Sequence, residues 1–234
     1  MGSESDCIAR RKVFVGRYGA TGGRGSHPSG REIVREALKA MARGVCRVSI
    51  IPRYLIYRME CILVDPDRAF HGVSQEMSLV PGVVGEYLRR EFLRLSIDRC
   101  SSDCCIGFGT VLSKRGARIG RRVYVGTRCN LGLVELGDDA LLASGVEVMS
   151  GGRQHTFEDE EIPVREQGGR FERVCVGRDS WIGSGALVMA DIGDKCVIGA
   201  GSVVRDPVPD GGIAVGSPAR IVGRRGERTE SEGA

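Results

Sequence analysis

Beyond Cys105 the chain is written in sixes: an aliphatic residue recurs about every six positions, usually followed by glycine or another small residue. Ile119-Gly120, Val125-Gly126 and Leu131-Gly132 form one run, and Leu136-Gly137, Leu142-Ala143 and Val148 the next. Val176-Gly177, Ile182-Gly183 and Val188 make a third, and Ile192-Gly193, Ile198-Gly199 and Val204 a fourth. The register slips by a residue or two between runs, as it does where a turn is trimmed at a corner. A short fixed period of this kind predicts a solenoid. Three hexapeptides make three flat faces and hence one triangular coil of about eighteen residues. The aliphatic residue of each hexapeptide points inward and stacks on its counterparts above and below, so a continuous core arises only from stacking. Small residues let the chain turn sharply at the corners. An ordinary α/β sheet would interpose helices of ~10 residues between strands, and these intervals are too short and too regular for that.

Upstream the pattern changes. Ile33, Val34, Leu38 and Met41 share one face at helical spacing, which predicts a helix over 29–43 with Ser29 as its N-cap and Gly44 as its stop. The more apolar stretch 48–64 reads as a second, largely buried helix, and 82–97 as an amphipathic helix with a basic face. Residues 1–28, rich in Gly, Ser and Arg, read as disordered or an arm. The expected organisation is a helical cap over 29–100, a solenoid over 101–224 and a tail over 225–234. The six-residue rhythm stops after Ser150 and resumes near Val174, so 151–173 is expected to be an extruded loop.

Composition agrees with a fold rich in turns and thin in large side chains. The 234 residues include 35 glycines, and aromatics make up only 5%. The formal charge of +4 is mild and implies no nucleic-acid partner. It suits cofactor phosphates or an anionic membrane surface equally well. No stretch reaches the ~18 apolar residues of a membrane span. The opening MGSESDCIARRKVF lacks an apolar signal core, so a cytoplasmic protein is expected. The nine cysteines include Cys100, Cys104 and Cys105. No second pair or nearby histidine completes a tetrahedral site there, so packed thiols and no metal are expected.

The blocks WIGSGALV, GAGSVV and VGSPARIV, in that order, resemble the hexapeptide-repeat acyltransferases, in particular the sugar O-acetyltransferases that include galactoside and exopolysaccharide enzymes. The resemblance covers about Ile106 to Arg224. It implies a mainly β fold, a left-handed parallel β-helix, which is an exception to right-handed crossovers. It also implies a homotrimer with active sites between subunits, acetyl-CoA as acyl donor, and a saccharide or other small hydroxyl acceptor.

Transfer from a thioester needs a base for the acceptor hydroxyl, donors for the oxyanion and positioning of both substrates. Of His27, His71 and His155, only His155 falls in the repeat region, at the root of the expected loop. Histidine titrates near working pH, and loops on rigid scaffolds commonly carry function. Family members carry their catalytic histidine at this interruption, although in galactoside-type members it comes about two residues earlier, where this chain has Arg153. The resemblance also places Ser184 and Ala200 against the pantetheine arm, Trp181 beside it, and Arg220 near the cofactor phosphates. Arg205 stands in for a lysine that relatives carry where this chain has Asp206. Asn130 is a candidate for holding the acceptor, with packing in an internal ladder the alternative. A γ-type carbonic anhydrase would need three histidines in the repeats. A serine acetyltransferase would need a paired histidine and aspartate context that is missing. A non-catalytic scaffold, or an antibiotic or amino-sugar amine as acceptor, remains an alternative. Packing over the end of the β-helix is the expected role of the cap, ahead of contact with a membrane surface.

Overall fold

The structure, a computed structural model, describes residues 30–227. The arm expected over 1–28, with His27, and most of the tail lie outside the described residues. Three helices come first: α1 (Gly30–Leu63), α2 (Pro66–Ser78) and α3 (Gly82–Ser96). Short strands follow. They are β1 (Arg99–Cys100), β2 (Cys105–Ile106), β3 (Val111–Leu112), β4 (Arg118–Ile119), β5 (Tyr124–Val125), β6 (Asn130–Leu131), β7 (Val134–Leu136) and β8 (Leu141–Leu142). Then come β9 (Glu147–Val148), β10 (Val174–Val176), β11 (Trp181–Ile182), β12 (Leu187–Val188), β13 (Val197–Ile198), β14 (Val203–Val204), β15 (Gly212–Gly216) and β16 (Ala219–Arg224).

The strands stack into three parallel sheets that form the faces of a prism. The orders are β1-β4-β7-β10, β2-β5-β8-β11-β13-β15 and β3-β6-β9-β12-β14, with β16 added antiparallel beside β15. This is the parallel β-solenoid expected from the hexad rhythm. In-register partners such as Ile119 and Leu136, or Ile182 and Ile198, show that each rung returns after roughly the expected coil length. The inward column of the largest sheet is Ile106, Val125, Leu142, Ile182, Ile198 and Ala214, all essentially buried. Burying each such aliphatic side chain contributes ~1.5–3 kcal/mol. The rungs approach so closely that a Cβ on Gly177 would lie 2.3 Å from the carbonyl carbon of Gly193. At one corner Asp138 and Asp194 each accept the backbone N–H of the previous rung, from Arg121 and Arg178, both at 2.7 Å.

The helices close the first rung. The Ser74 hydroxyl accepts the Leu112 N–H at 2.9 Å. The buried Arg89 guanidinium donates to the carbonyls of Ile106, Met77 and Val80. Two details differ from the pattern-based expectation. One helix replaces two: α1 runs through both Gly44 and Pro52. A helix-interior glycine costs only ~1 kcal/mol relative to alanine, and packing of Cys46, Ile50 and Tyr57, where Tyr57 meets Phe92 edge-on, outweighs such local penalties. The stretch expected to be largely buried is buried on that face alone. The second difference is α2, whose start is strongly marked and whose face of Ala69, Phe70, Val73 and Met77 is buried. Asp65 accepts the Arg68 N–H at 2.9 Å, and Pro66 occupies the first turn. His71 lies in α2.

The Arg121 backbone N–H, and then its guanidinium, hold the Asp138 carboxyl below the usual carboxylate range. A depressed folded pKa contributes stability that is present above the unfolded value of ~3.9 and is lost as pH falls through the folded value. Asp138→Asn is therefore expected to lower stability by ~1 kcal/mol at neutral pH. Melting of both proteins from pH 7 down to pH 2 should show the gap closing at the acid end.

Candidate active site

Residues 149–150 turn out of β9, and the chain leaves the rungs until β10. The root of this excursion is a clasp of two segments. Glu172 N–H donates to Ser150 O at 2.9 Å, Arg170 N–H to Arg153 O at 2.8 Å, and Thr156 N–H to Gly168 O at 3.2 Å. Gly169 fits against the opposite segment so tightly that a Cβ there would lie 1.8 Å from Gln154 O and 2.9 Å from His155 N. Farther out, Gln167 ties the loop to itself, donating to the carbonyls of Asp159 and Ile162 at 2.7 and 2.6 Å. A single 3-10 turn, Val164–Glu166, follows.

His155 sits on the outgoing segment of this clasp, with its side chain exposed. Among the described residues no carboxylate hydrogen-bonds its ring. The acidic run Glu158, Asp159, Glu160 and Glu161 is exposed, and Asp159 accepts from the nearby Glu161 N–H instead. The clasp separates two clefts. One, of about 180 Å³, is lined by Asn130, Ser113, Glu147, Ser150 and Gln154. Asn130 projects outward from β6 into this cleft rather than into an internal ladder, because its strand partner Leu131 takes the buried position. The other cleft, of about 640 Å³, contains Arg153, Glu172, Arg173, Asp191 and Arg205. Its three guanidiniums against two carboxylates favour an anionic occupant.

The remaining expected residues lie at a different corner. Trp181 stands on the outer surface of the largest sheet, half exposed. Ser184 and Ala200 follow β11 and β13 at equivalent positions of successive rungs, and Ser184 O accepts the Gly201 N–H at 2.8 Å. This corner joins the largest sheet to the sheet of β12 and β14, whereas the clasp springs from the next corner, beyond β9. One chain therefore groups Asn130 with the root of the His155 segment, and separately aligns Trp181, Ser184 and Ala200. Arg220, on β16, is exposed and lies 3.8 Å from Asp206, the neighbour of Arg205. Sequence reasoning did not single out Gln154 and Arg153 as cleft residues, nor Gly169. The adjacent pair Gly168-Gly169 was the available signal for a close approach.

Among the described residues the cysteines are buried or half-buried. Cys100 and Cys104 lie with their sulfurs 3.6 Å apart, and that contact together with burial pushes the Cys104 thiol pKa up. Burial pushes Cys105 up to about 12. Thiols held protonated are poor nucleophiles and poor metal ligands.

Comparison with known proteins follows the same division of the chain. The family model described as the hexapeptide repeat of succinyl-transferase matches residues 116–149 and 173–205, on either side of the extruded loop. The chain is 37% identical over 94 residues to the probable acetyltransferase Rv3034c of Mycobacterium tuberculosis, covering 39% of this chain and 31% of that protein. It is 33% identical over 112 residues to the galactoside O-acetyltransferase of Escherichia coli K12, covering 44% of this chain and 52% of that one. The chain thus spans about a third to a half of the length of these curated relatives. A galactoside acetyltransferase solved in complex with coenzyme A superposes with a TM-score of 0.53 at 18% identity, over 69% of this chain and 83% of that one. That similarity is one of fold.

Gly169→Ala is expected to displace the segment that bears His155. Turnover that depends on this imidazole should fall ~10²-fold, the usual cost of about 1 Å of misplacement, while the melting of the solenoid changes little. Paired rate and melting measurements on the variant check both halves.

Proposed function

We propose that the chain, which matches a hexapeptide-repeat model over part of its length and is similar to proteins named acetyltransferases, is an acyl-CoA-dependent O-acyltransferase. The acyl group is acetyl, and the acceptor is a sugar hydroxyl in polysaccharide or glycoconjugate biosynthesis. The observation that carries this reading is the clasp: among the described residues the rungs are broken by one long excursion, and it bears the exposed His155 next to Gln154, which lines a polar cleft with Asn130.

In this reading the acceptor lies in the cleft, where Asn130 and Gln154 hold it by its hydroxyls. His155 takes the proton of the attacking hydroxyl as its oxygen adds to the thioester carbonyl. The tetrahedral oxyanion collapses, the C–S bond breaks, and the coenzyme A thiolate takes the proton back from the imidazolium. No covalent intermediate on the protein is needed. Trp181, Ser184 and Ala200 line the pantetheine arm, and Arg205 and Arg220 face the phosphates, where the planar guanidinium fork suits them.

Because the two groups occupy different corners of one prism, a complete site takes the His155 segment from one copy and the pantetheine groove from another. A homotrimer, with three faces and three clefts, supplies that arrangement. The cap closes the first rung within each copy and requires no membrane.

His155→Ala should lower turnover ~10²–10⁴-fold, the usual worth of a positioned base, while acetyl-CoA still binds. Unchanged turnover removes His155 from the base role. Arg220→Ala should weaken coenzyme A more than it weakens dephospho-coenzyme A in calorimetric titrations. Equal losses place Arg220 away from the phosphates.

A further inference from the structure

The outer face of α1 carries a pattern that the solenoid does not use. Leu38, Met41, Val45, Val48, Pro52, Leu55, Met59 and Ile62 follow one another at alternating intervals of three and four. Apart from Pro52, each of these side chains is more than half exposed. A strict 3.5-residue repeat is narrower and more regular than core packing requires, and it is the geometry of a helix that pairs with another helix. The opposite face of the same helix, through Cys46, Ile50 and Tyr57, is already packed on the body of the protein. The second half of α1 is therefore apolar on two opposite sides, of which only one is covered within this chain.

The margins of the seam identify what covers it. Ala37, Ala42, Gly44 and Ser49 flank it on both sides with small side chains, which let a second backbone approach, and Ile51 and Ile56 widen it further on. Arg43 and Arg47 lie on the far side of the helix, about 160° away from Val45 at 3.6 residues per turn. Arg58 alone carries charge along the described margins, and it donates to the Tyr54 hydroxyl at 3.3 Å. A helix lying on an anionic lipid surface needs its cations beside the apolar strip, where the headgroups are. Here they point away, so two such seams can meet without bringing like charges together. The seam runs through the 25 residues from Leu38 to Ile62, about seven turns of helix.

We propose that the exposed seam of α1 packs against the same seam of a second copy of this chain, forming a short coiled coil. This contact is separate from any contact between solenoid faces and does not depend on the acyltransferase reading.

Photocrosslinking in the full chain tests it. Benzoylphenylalanine in place of Val48, near the middle of the seam, should give a covalent dimer on irradiation whose adduct maps to α1 of the other copy, in either helix orientation. The same probe in place of Arg43 should not. Adding Leu55→Glu and Met59→Glu to the Val48 probe should lower the dimer yield about tenfold or more, since carboxylates would have to be buried unpaired. Arg43→Glu and Arg47→Glu should leave the yield unchanged. Circular dichroism melting of the solenoid serves as the folding control, and all the substituted side chains on the seam are exposed. Adducts confined to the probe's own chain, or no dimer from position 48, overturn the proposal. So does seam-dependent flotation with phosphatidylglycerol vesicles in the absence of the crosslink.

Discussion

The column of aliphatic side chains inside the prism is the constraint on which everything else depends. No single rung buries enough to stand alone, so the strands β1 to β14, each of two or three residues, are held by the rungs they stack on. That mutual support demands close backbone approach, and so glycine at Gly177, where even a methyl group would meet the next rung. It also leaves outward side chains standing at fixed heights on flat faces. Any chemistry on such a scaffold has to be placed at a corner or on an excursion from it, because the interior is filled with packed side chains.

This chain uses both options. The corner beyond β11 and β13 aligns Ser184 with Ala200, while the clasp beyond β9 carries His155 next to Gln154, which shares a cleft with Asn130. A rigid prism cannot bend to bring two of its corners together. The separation within one chain therefore carries the functional reading toward a site shared by copies, and the face that one copy leaves open becomes part of the explanation. The cap has a similar double character. Its inner faces end the stack, with Arg89 and Ser74 satisfying backbone groups that another rung would otherwise meet, while the outer face of α1 is patterned for a further helix.

Much of this was legible in the sequence because a repeat is a one-dimensional record of a one-dimensional fold. Ile119, Val125 and Leu131 announce their faces by spacing alone, and the interruption after Ser150 shows as a break in the rhythm. The residues that were misread depend on contacts distant in sequence. Gly44 looked like a helix stop because nothing local reveals that Tyr57 will pack on Phe92. The exception is α2: Asp65 and Pro66 mark its start, and Ala69, Phe70, Val73 and Met77 give it an apolar face at helical spacing, a signal in the sequence that was not taken up. At the site, Gln154 and Gly169 gain meaning only once the two segments of the clasp are known to lie side by side. Asn130 was left between cleft and ladder because a two-residue strand does not say which side chain turns inward.

The most direct test of the shared-site account is complementation between inactive chains. His155→Ala chains lack the base, and chains blocked at the pantetheine groove by Ser184→Trp lack the donor site. The account predicts that the two, each inactive alone, regain acetyl transfer when refolded together, because some clefts then pair an intact His155 with an intact groove from another copy. Mixed assemblies that form and stay inactive would contradict it.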